Sequence, residues 1–329
     1  IVNSLAFTPD GKSLAVSGHH EITLWNVESG KLEKRLHTRA ERTYGLAFLP
    51  DGKLVAAGSR PGQEGDVRIY DLSAKGKNEG GVDVLDGVND KKVLVKALFD
   101  VDDSVLALAV SADGKKLAAG GCDRAVRIWD LSAGLDKAKI EQTVENHADW
   151  VLGVALTADG KYLLTASRDK TAKVWDLKTK ESVLTVPEHT DIVYGVGSKD
   201  GAIGFSVGAD KNIRSWKTSG DGKTVKIGGG HTDHVLKIAI SPKDALMATG
   251  SKDKSVRLWS LDDLKSTKTL AGLTDEVFAV AFSPDGQLVA GGSFDGEVRI
   301  WKVTDGTVAK AFNASPGYVT KTAAVPEKK

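Results

Sequence analysis

Cysteine is almost absent from this 329-residue chain, with Cys122 the single one. A lone cysteine excludes an internal disulfide framework, a zinc site made of paired thiolates and the CxxCH haem-attachment motif. The sequence also has no apolar run of the ~18–20 residues that a transmembrane helix needs. We expect no signal peptide, and because the chain begins at Ile1 rather than Met we expect an excerpt or a processed product.

The chain also has no large excess of charge of one sign, because 45 basic residues balance 44 acidic ones and leave a formal net charge of +1. Such a chain has no overall field to attract nucleic acid or an anionic membrane. Proline is sparse, with 8 residues against 36 glycines, which indicates many tight turns rather than linkers. The 41 % hydrophobic and 27 % charged residues are typical of a globular protein and exclude wholesale disorder.

Motifs for catalysis and cofactors are missing as well. The segment Ser219–Thr224, SGDGKT, ends like a phosphate-binding loop, but Lys217 stands where that motif requires a glycine. No HExxH motif, EF-hand spacing or pair of cysteines is present. The sequence therefore predicts no catalytic residue, no cofactor and no metal site, and it indicates a protein that is not an enzyme.

The dominant positive feature is a repeat. A segment like VRIWD recurs seven times, and its aromatic residues are 41–46 residues apart except for one interval of 59 residues. These aromatics are Trp25, Tyr70, Trp129, Trp175, Trp216, Trp259 and Trp301.

Each repeat reads as four short strands. The first two are joined by an Asp-Gly turn in six repeats, and Asp-Gly is a strong hairpin signal because glycine accepts positive φ. Sustained helical periodicity is absent. One such sheet cannot bury both of its faces, whereas seven arranged radially can. The sequence thus predicts an all-β fold, a seven-bladed β-propeller with four antiparallel strands per blade.

The pattern of GH and WD-like segments, clearest in Gly229–Ser260, resembles the WD-repeat (WD-40) family. The resemblance covers nearly the whole chain. It implies one propeller over residues 1–312 and a C-terminal tail over 313–329. We number the expected repeat units 1 to 7, with approximate bounds 1–37, 38–100, 101–145, 146–187, 188–229, 230–271 and 272–312.

Three units carry a His, Ser/Thr, Asp and Trp that could be mistaken for a catalytic triad with an aromatic wall. Catalytic sites rarely occur in triplicate at one repeat position, and the WD-repeat resemblance implies a structural hydrogen-bond network instead. An acid also precedes the first strand in most units, for example Glu41 and Asp149, and we interpret it as a loop cap. The network residues are His147, Thr165, Asp169, Trp175, His189, Ser206, Asp210, Trp216, His231, Thr249, Asp253 and Trp259.

Residues that vary between units are free to serve a partner. WD-repeat proteins commonly bind peptides and proteins on the face that carries the loops before the first strand and between the second and third strands, here called the top face. Aromatics and arginine dominate binding hot spots, and Trp150 is the one tryptophan outside the third strand. The candidate partner-binding residues are Arg42, Tyr44, Trp150, Leu152, Arg168, Tyr194, His234, Lys252, Glu276, Phe278 and Phe294. Leu106, Cys122, Ile192, Ala209 and Leu236 occupy equivalent positions, and we interpret Cys122 as an inert small residue.

Two insertions interrupt unit 2. The loop Ser59–Gly65, SRPGQEG, is expected to form a wall on the top face, and it resembles a loop of bacterial WD-repeat domains attached to c-type cytochrome modules. That likeness indicates a bacterial envelope or periplasm, with the cytoplasm as the alternative. The longer insertion, Leu72–Lys92, is expected to be a mobile surface excursion before a fourth strand at Val93–Phe99.

These features favour a non-enzymatic scaffold within a larger multidomain protein. It would be a monomeric domain that binds an unidentified protein or peptide, with no nucleic acid and no membrane insertion. Two alternatives stay open: a propeller enzyme such as a lactonase-like hydrolase, which needs carboxylates and a metal at the channel mouth, and a purely structural spacer.

Overall fold

The computed structural model describes residues 1–60 and 64–315. This part of the chain is almost entirely β-strand, and its single helical element is the short 3-10 turn Leu135–Lys137. In the described ranges, no helix combines the length and apolar character required to cross a bilayer. The predicted all-β class is confirmed.

The first 101 residues form one nine-stranded sheet, and its main path runs β1-β2-β3-β4-β5-β6-β9. Its strands are β1 Leu5–Phe7, β2 Ser13–Ser17, β3 His19–Asn26, β4 Leu32–Phe48, β5 Leu54–Arg60, β6 Glu64–Tyr70, β7 Lys77–Glu79, β8 Val82–Asp86 and β9 Leu94–Val101. The 17-residue strand β4 pairs with β3 along its first part and with β5 along its last part, and β8 also pairs with its first part.

The remaining chain forms five sheets of four antiparallel strands, each in sequence order. Their strands are β10 Val105–Val110, β11 Lys116–Gly121, β12 Val126–Asp130 and β13 Lys139–Val144; β14 Val151–Leu156, β15 Tyr162–Ser167, β16 Ala172–Asp176 and β17 Glu181–Val186; β18 Val193–Ser198, β19 Ile203–Gly208, β20 Ile213–Lys217 and β21 Thr224–Gly228; β22 Val235–Ile240, β23 Leu246–Ser251, β24 Val256–Ser260 and β25 Ser266–Leu270; and β26 Val277–Phe282, β27 Leu288–Ser293, β28 Glu297–Lys302 and β29 Val308–Asn313.

The expectation that Leu72–Lys92 is a mobile excursion is wrong. This insertion folds into β7 and β8, and β8 pairs in parallel with β4 along Lys34–His37. Leu85 is fully buried in a core cluster with Leu36, which anchors the insertion to the sheet. The predicted fourth strand of unit 2 is confirmed, with its observed bounds one or two residues later, at Leu94–Val101.

The predicted loop Ser59–Gly65 is shorter than expected. Strands β5 and β6 continue their ladder as far as the Arg60–Glu64 pair, so that four of its seven residues lie in strands. Pro61, Gly62 and Gln63 lie outside the described residues.

The predicted Asp-Gly turns have the geometry that makes glycine necessary there. All six glycines adopt the left-handed conformation, with φ between 67° and 87°. L-residues with a Cβ rarely adopt that conformation, because the Cβ approaches the following carbonyl oxygen. The turns therefore fix the register of the first two strands in six units.

Most core clusters lie between adjacent sheets, and one lies within the nine-stranded sheet. Trp129 packs with residues of β5 and β6, and Trp216 packs with residues of β15, β16 and β17. The first strands of the seven units also contact one another, in the order β1, β4, β10, β14, β18, β22 and β26. Strand β26 in turn contacts β1, so the first and last sheets are neighbours.

The contact between the first and last sheets uses side-chain packing instead of strand exchange. Val2, Leu14 and Trp25 share a core cluster with Val298 and Ile300. The last sheet takes its outer strand from β29, and β1 belongs to the first sheet. Within residues 1–60 and 64–315, this arrangement confirms the expectation that neither end of the chain lends a strand to the sheet at the opposite end.

We expect Leu14→Ala to destabilise the protein as much as Leu163→Ala. The two leucines are completely buried at equivalent positions, each opposite the tryptophan of its own unit, but Leu14 lies between the first and last sheets. Each truncation should cost about 2–5 kcal/mol in free energy of unfolding, measured by urea denaturation. A clearly smaller loss for Leu14→Ala would show that the first and last sheets pack loosely.

Candidate functional site

The four residues singled out in unit 4 are linked by hydrogen bonds. His147 lies 2.7 Å from Asp169 through Nδ1 and 2.7 Å from the Thr165 hydroxyl through Nε2, and Trp175 Nε1 donates to that hydroxyl at 3.3 Å. Unit 5 repeats the arrangement with distances of 3.0, 2.8 and 3.1 Å, and unit 6 with 2.8, 2.7 and 2.7 Å. The residues of these two sets are His189, Ser206, Asp210 and Trp216, and His231, Thr249, Asp253 and Trp259.

The direction of each hydrogen bond follows from what the groups can donate. The ionised carboxylate only accepts, so histidine donates from Nδ1, and its Nε2 accepts the hydroxyl proton, while the hydroxyl oxygen accepts the indole N–H. Thr165, Ser206 and Thr249 are completely buried. A hydroxyl without access to substrate cannot act as a nucleophile, so these sets connect the turn, the second strand and the third strand of a sheet instead of forming a catalytic centre.

The carboxylates of these networks are strongly biased toward the ionised form. Burial alone would raise the pKa of Asp210, but hydrogen bonds from His189 and from the Asn212 amide outweigh burial and lower the pKa to about 2. The same opposition of burial and hydrogen bonding lowers the pKa of Asp169 and Asp253. All three therefore remain charged acceptors through the physiological pH range.

Units 1 and 7 lack the hydroxyl residue of the set, and the indole nitrogens of their tryptophans differ in their hydrogen bonding. In unit 7 the position of the hydroxyl residue is Gly291, and the indole Nε1 of the buried Trp301 has no hydrogen-bond partner. In unit 1 that position is Val16, and Trp25 donates instead to Thr23 on its own strand at 2.9 Å.

The top face is organised by a repeated backbone hydrogen bond. The residue before the turn Asp donates its N–H to the carbonyl of the residue that precedes the first strand, at 2.8–3.0 Å. In units 3 to 7 this bond brings two variable residues together. The pairs are Cys122 with Ser104, Arg168 with Trp150, Ala209 with Ile192, Lys252 with His234 and Phe294 with Glu276.

Most of the predicted partner-binding residues form pairwise contacts on this face. The Arg168 guanidinium lies 4.9 Å from the centre of the Trp150 ring, Lys252 pairs with Glu276 at 3.5 Å, and ring contacts join Tyr194 to His234 and Phe278 to Phe294. Trp150 is 41 % exposed and Phe294 is 47 % exposed. We call these eight residues the rim cluster: Trp150, Arg168, Tyr194, His234, Lys252, Glu276, Phe278 and Phe294.

Other candidates lie outside the rim cluster. Arg42 is exposed and its backbone pairs with His19, while Tyr44 on β4 and Leu152 on β14 are half-buried. Ala209 and Leu236 are buried and therefore belong to the core. Burial raises the pKa of Cys122 to about 12, so that its thiol stays protonated, in line with an inert residue.

A small cavity of about 130 Å³ lies below the rim, between the inner strands β10, β14, β18 and β22. Its lining includes Leu108, Gly153, Tyr194, Lys237 and Ile238, and the described lining has no carboxylate. The lining therefore lacks the acidic metal ligands that a lactonase-like hydrolase needs.

Lys237 was missed by sequence reasoning. Burial lowers the pKa of its ammonium group, without a charged partner to offset the effect. Comparison of the units carries a signal, because the other six have a small residue at this position and only unit 6 has a charged one. The equivalents are Ser4, Gly45, Ala107, Gly153, Gly195 and Ala279.

The strands, turns and hydrogen-bond networks together define a WD-repeat protein. A family model described as "WD domain, G-beta repeat" matches residues 1–26, 31–71, 95–130, 138–176, 222–260 and 264–302. These segments cover more than half of the chain, which therefore belongs to the WD40 family.

Three relatives illustrate how the family resemblance is distributed. The transcription factor unc-37 of Caenorhabditis elegans is 24 % identical over 262 residues, which is 79 % of this chain and 38 % of the relative. Protein groucho of Drosophila melanogaster is 27 % identical over 136 residues, and the U3 small nucleolar RNA-associated protein 12 of Saccharomyces cerevisiae is 28 % identical over 132 residues. Each of these two matches spans 40 % of this chain, and they cover 16 % of groucho and 12 % of the yeast protein. These relatives come from animals and yeast, so they give no support to a bacterial affinity.

We expect Asp169→Ala and Asp253→Ala to lower the free energy of unfolding more than Asp295→Ala. Asp169 and Asp253 each accept a hydrogen bond from a buried histidine, whereas the bonds to Asp295 come from Thr274, Ser293 and the Glu297 amide. Each buried donor left without a partner costs about 1–3 kcal/mol. Equal shifts in urea denaturation for the three variants would contradict the structural role of the networks.

The indole nitrogens provide a second test of the same networks. Trp259 Nε1 donates to Thr249 at 2.7 Å, whereas Trp301 Nε1 has no partner, and both tryptophans are completely buried. Phenylalanine removes the same volume from both sites. We therefore expect Trp259→Phe to cost about 1–3 kcal/mol more than Trp301→Phe in thermal or urea unfolding. Equal losses would show that the hydrogen bond in unit 6 contributes nothing.

Proposed function

We propose that residues 1–312 form a closed seven-bladed propeller with residues 313–329 as a tail. The nine-stranded sheet would comprise two blades, β1-β2-β3-β4 and β4-β5-β6-β9, that share the long strand β4. Support comes from the cycle of contacts among β1, β4, β10, β14, β18, β22 and β26. Unit 5, at 188–229, would be a full blade, since it has four strands and a complete hydrogen-bond network.

On this scaffold we propose a non-enzymatic function, the binding of a protein or peptide at the rim cluster. The observation that carries this proposal is the exposure of Trp150 and Phe294 on one face, beside charged side chains of both signs. Aromatic rings of this size expose apolar area that contributes ~25 cal/mol per Å² when a partner covers it. Aromatic residues and arginine together are also the composition of binding hot spots.

The rim cluster favours an extended segment with one apolar anchor and one acidic residue. Trp150 and Tyr194 offer ring surface for the anchor. Arg168 is 47 % exposed and lies 3.6 Å from Asp149, so its guanidinium retains free donors for a carboxylate on the partner. Lys237 lines the cavity below, where an acidic side chain of the partner would stabilise its charged form.

We also propose that this domain works as a monomer within a larger multidomain protein. The chain spans 38 % or less of the three relatives, so propellers of this type occur as parts of longer proteins. Two of those relatives are named as a transcription factor and as a small nucleolar RNA-associated protein, which fits a module that contributes protein contacts to larger assemblies.

The binding face can be tested with peptides selected from a phage-displayed random library against the purified protein. We expect a consensus with an aromatic or aliphatic anchor and an Asp or Glu. Trp150→Ala and Tyr194→Ala should each weaken binding of the selected peptide roughly tenfold or more in fluorescence titrations, while the melting temperature stays nearly unchanged because both residues are partly exposed.

The matched control is Ile227→Ala, which removes an apolar side chain that is 57 % exposed on the outer strand β21, away from the rim. It should leave peptide affinity unchanged. The proposal fails if the selected peptides bind the Trp150 and Tyr194 variants as tightly as they bind the natural protein. Marked unfolding of those variants would instead show that the two aromatics are core residues.

A further inference from the structure

Three potential metal ligands meet on the top face where unit 1 adjoins unit 2. They are His19 and His20 at the start of β3 and Glu41 in β4, and their donor atoms all lie within 4.8 Å of one another. The nearest pair is His19 Nε2 and Glu41 Oε1, at 3.4 Å. Within residues 1–60 and 64–315, this is the one group of three or more His, Cys, Asp or Glu side chains with such spacing.

The turn between the second and third strands explains why the histidines point toward unit 2. His20 has a φ of 56°, and the corresponding turn residues Lys170, Lys211 and Lys254 have φ between 66° and 71°. Lys170 and Lys211 reach across to the next unit, where they donate to the carbonyls of Thr190 and Thr232. A side chain at this turn position is thus directed at the loop of the following unit.

Strand β4 holds the third ligand in place. Because β4 runs without interruption from unit 1 into unit 2, Arg42 pairs directly with His19 in the β-ladder, and this pairing fixes Glu41 beside the turn. The equivalent residue in units 4 and 6 is an aspartate that accepts the next backbone N–H, as Asp149 does from Trp150 and Asp233 from His234. Glutamate is one methylene longer, and here its carboxylate reaches the histidines.

We propose that His19, His20 and Glu41 bind a divalent transition-metal ion, with Zn²⁺ as the natural candidate. Imidazole and carboxylate are ligands that Zn²⁺ takes at about 2.0–2.2 Å. Tetrahedral coordination at these lengths puts neighbouring ligand atoms about 3.3 Å apart, close to the 3.4 Å between His19 and Glu41. Three protein ligands leave one position for water. The exposed His19 and His20 side chains can rotate to complete the site.

The ion would connect unit 1 to unit 2 at a turn where unit 1 lacks the usual histidine–aspartate hydrogen bond. In units 4 to 6 an aspartate of the same turn holds the histidine of the inter-unit loop, whereas in unit 1 the turn position of that aspartate is His19. A metal held by His19, His20 and Glu41 would tie the turn of unit 1 to the first strand of unit 2. Zn²⁺ should therefore stabilise the folded protein as well as bind to it.

Isothermal titration of tag-free protein with ZnCl₂ in a non-chelating buffer tests the site. We expect one ion per chain, a raised melting temperature with Zn²⁺, and a Co²⁺ absorption spectrum of low coordination number. His19→Ala, His20→Asn and Glu41→Gln should each weaken Zn²⁺ binding roughly tenfold or more and abolish the thermal shift. Asparagine is chosen at position 20 because it tolerates positive φ.

His37→Ala is the matched control, because His37 is an exposed histidine of the same strand β4 outside the group of three. Its affinity and thermal shift should equal those of the natural protein. Circular dichroism and melting without metal show that each variant is folded. The proposal is overturned if the natural protein gives no heat beyond dilution, or if the three ligand variants bind Zn²⁺ as tightly as His37→Ala does.

Discussion

The need to cover both faces of every sheet governs this molecule. A four-stranded sheet whose two faces are apolar is stable only between two neighbours, and the third-strand tryptophans Trp129, Trp216 and Trp259 lie buried in these contacts. The sheets are therefore wedged against one another, and the first packs on the last through Leu14 and Ile300. Little sequence freedom remains inside, so variation between the units is concentrated in the loops and at the outer strands.

The local elements of the fold were predictable because they depend on neighbouring residues. Asp-Gly turns and the recurrent third-strand aromatic are short-range signals, and the strands they predict are present. The continuity of β4 and the parallel pairing of β8 were not predictable in this way. Parallel pairing of β8 with Lys34–His37 joins segments about 50 residues apart and leaves no periodic trace in the sequence. The link between the first two units differs from the others by a run without Gly, Pro or Asp, HTRAE at 37–41, which lets one strand continue through it.

The candidate sites likewise differ in how far they could be predicted from the sequence. The side chains of the hydrogen-bond networks could be named from the sequence, because three units repeat them in phase. The contacts within the rim cluster could be predicted only in part, because the contact of Tyr194 with His234 and the ion pair of Lys252 with Glu276 join residues of different units. Lys237, and the group of His19, His20 and Glu41, consist of residues that do not recur at the equivalent positions of the other units. Their surroundings can be seen only in the structure, which brings separate segments together, because no spacing in the sequence links these segments.

The strand β8 also changes how the outer edge of the first sheet is exposed to other protein chains. It pairs with the outer edge of β4 and buries its own Leu85, so that the first sheet does not present that stretch of unpaired backbone N–H and C=O groups. Strand β21 is the outermost strand of its sheet and carries Val225 and Ile227, both more than half exposed. An open edge with apolar side chains is where β-rich proteins begin edge-to-edge aggregation. Lys223 and Lys226 place charge beside these residues, which opposes such stacking, whereas the stretch of β4 that pairs with β8 needs no such protection.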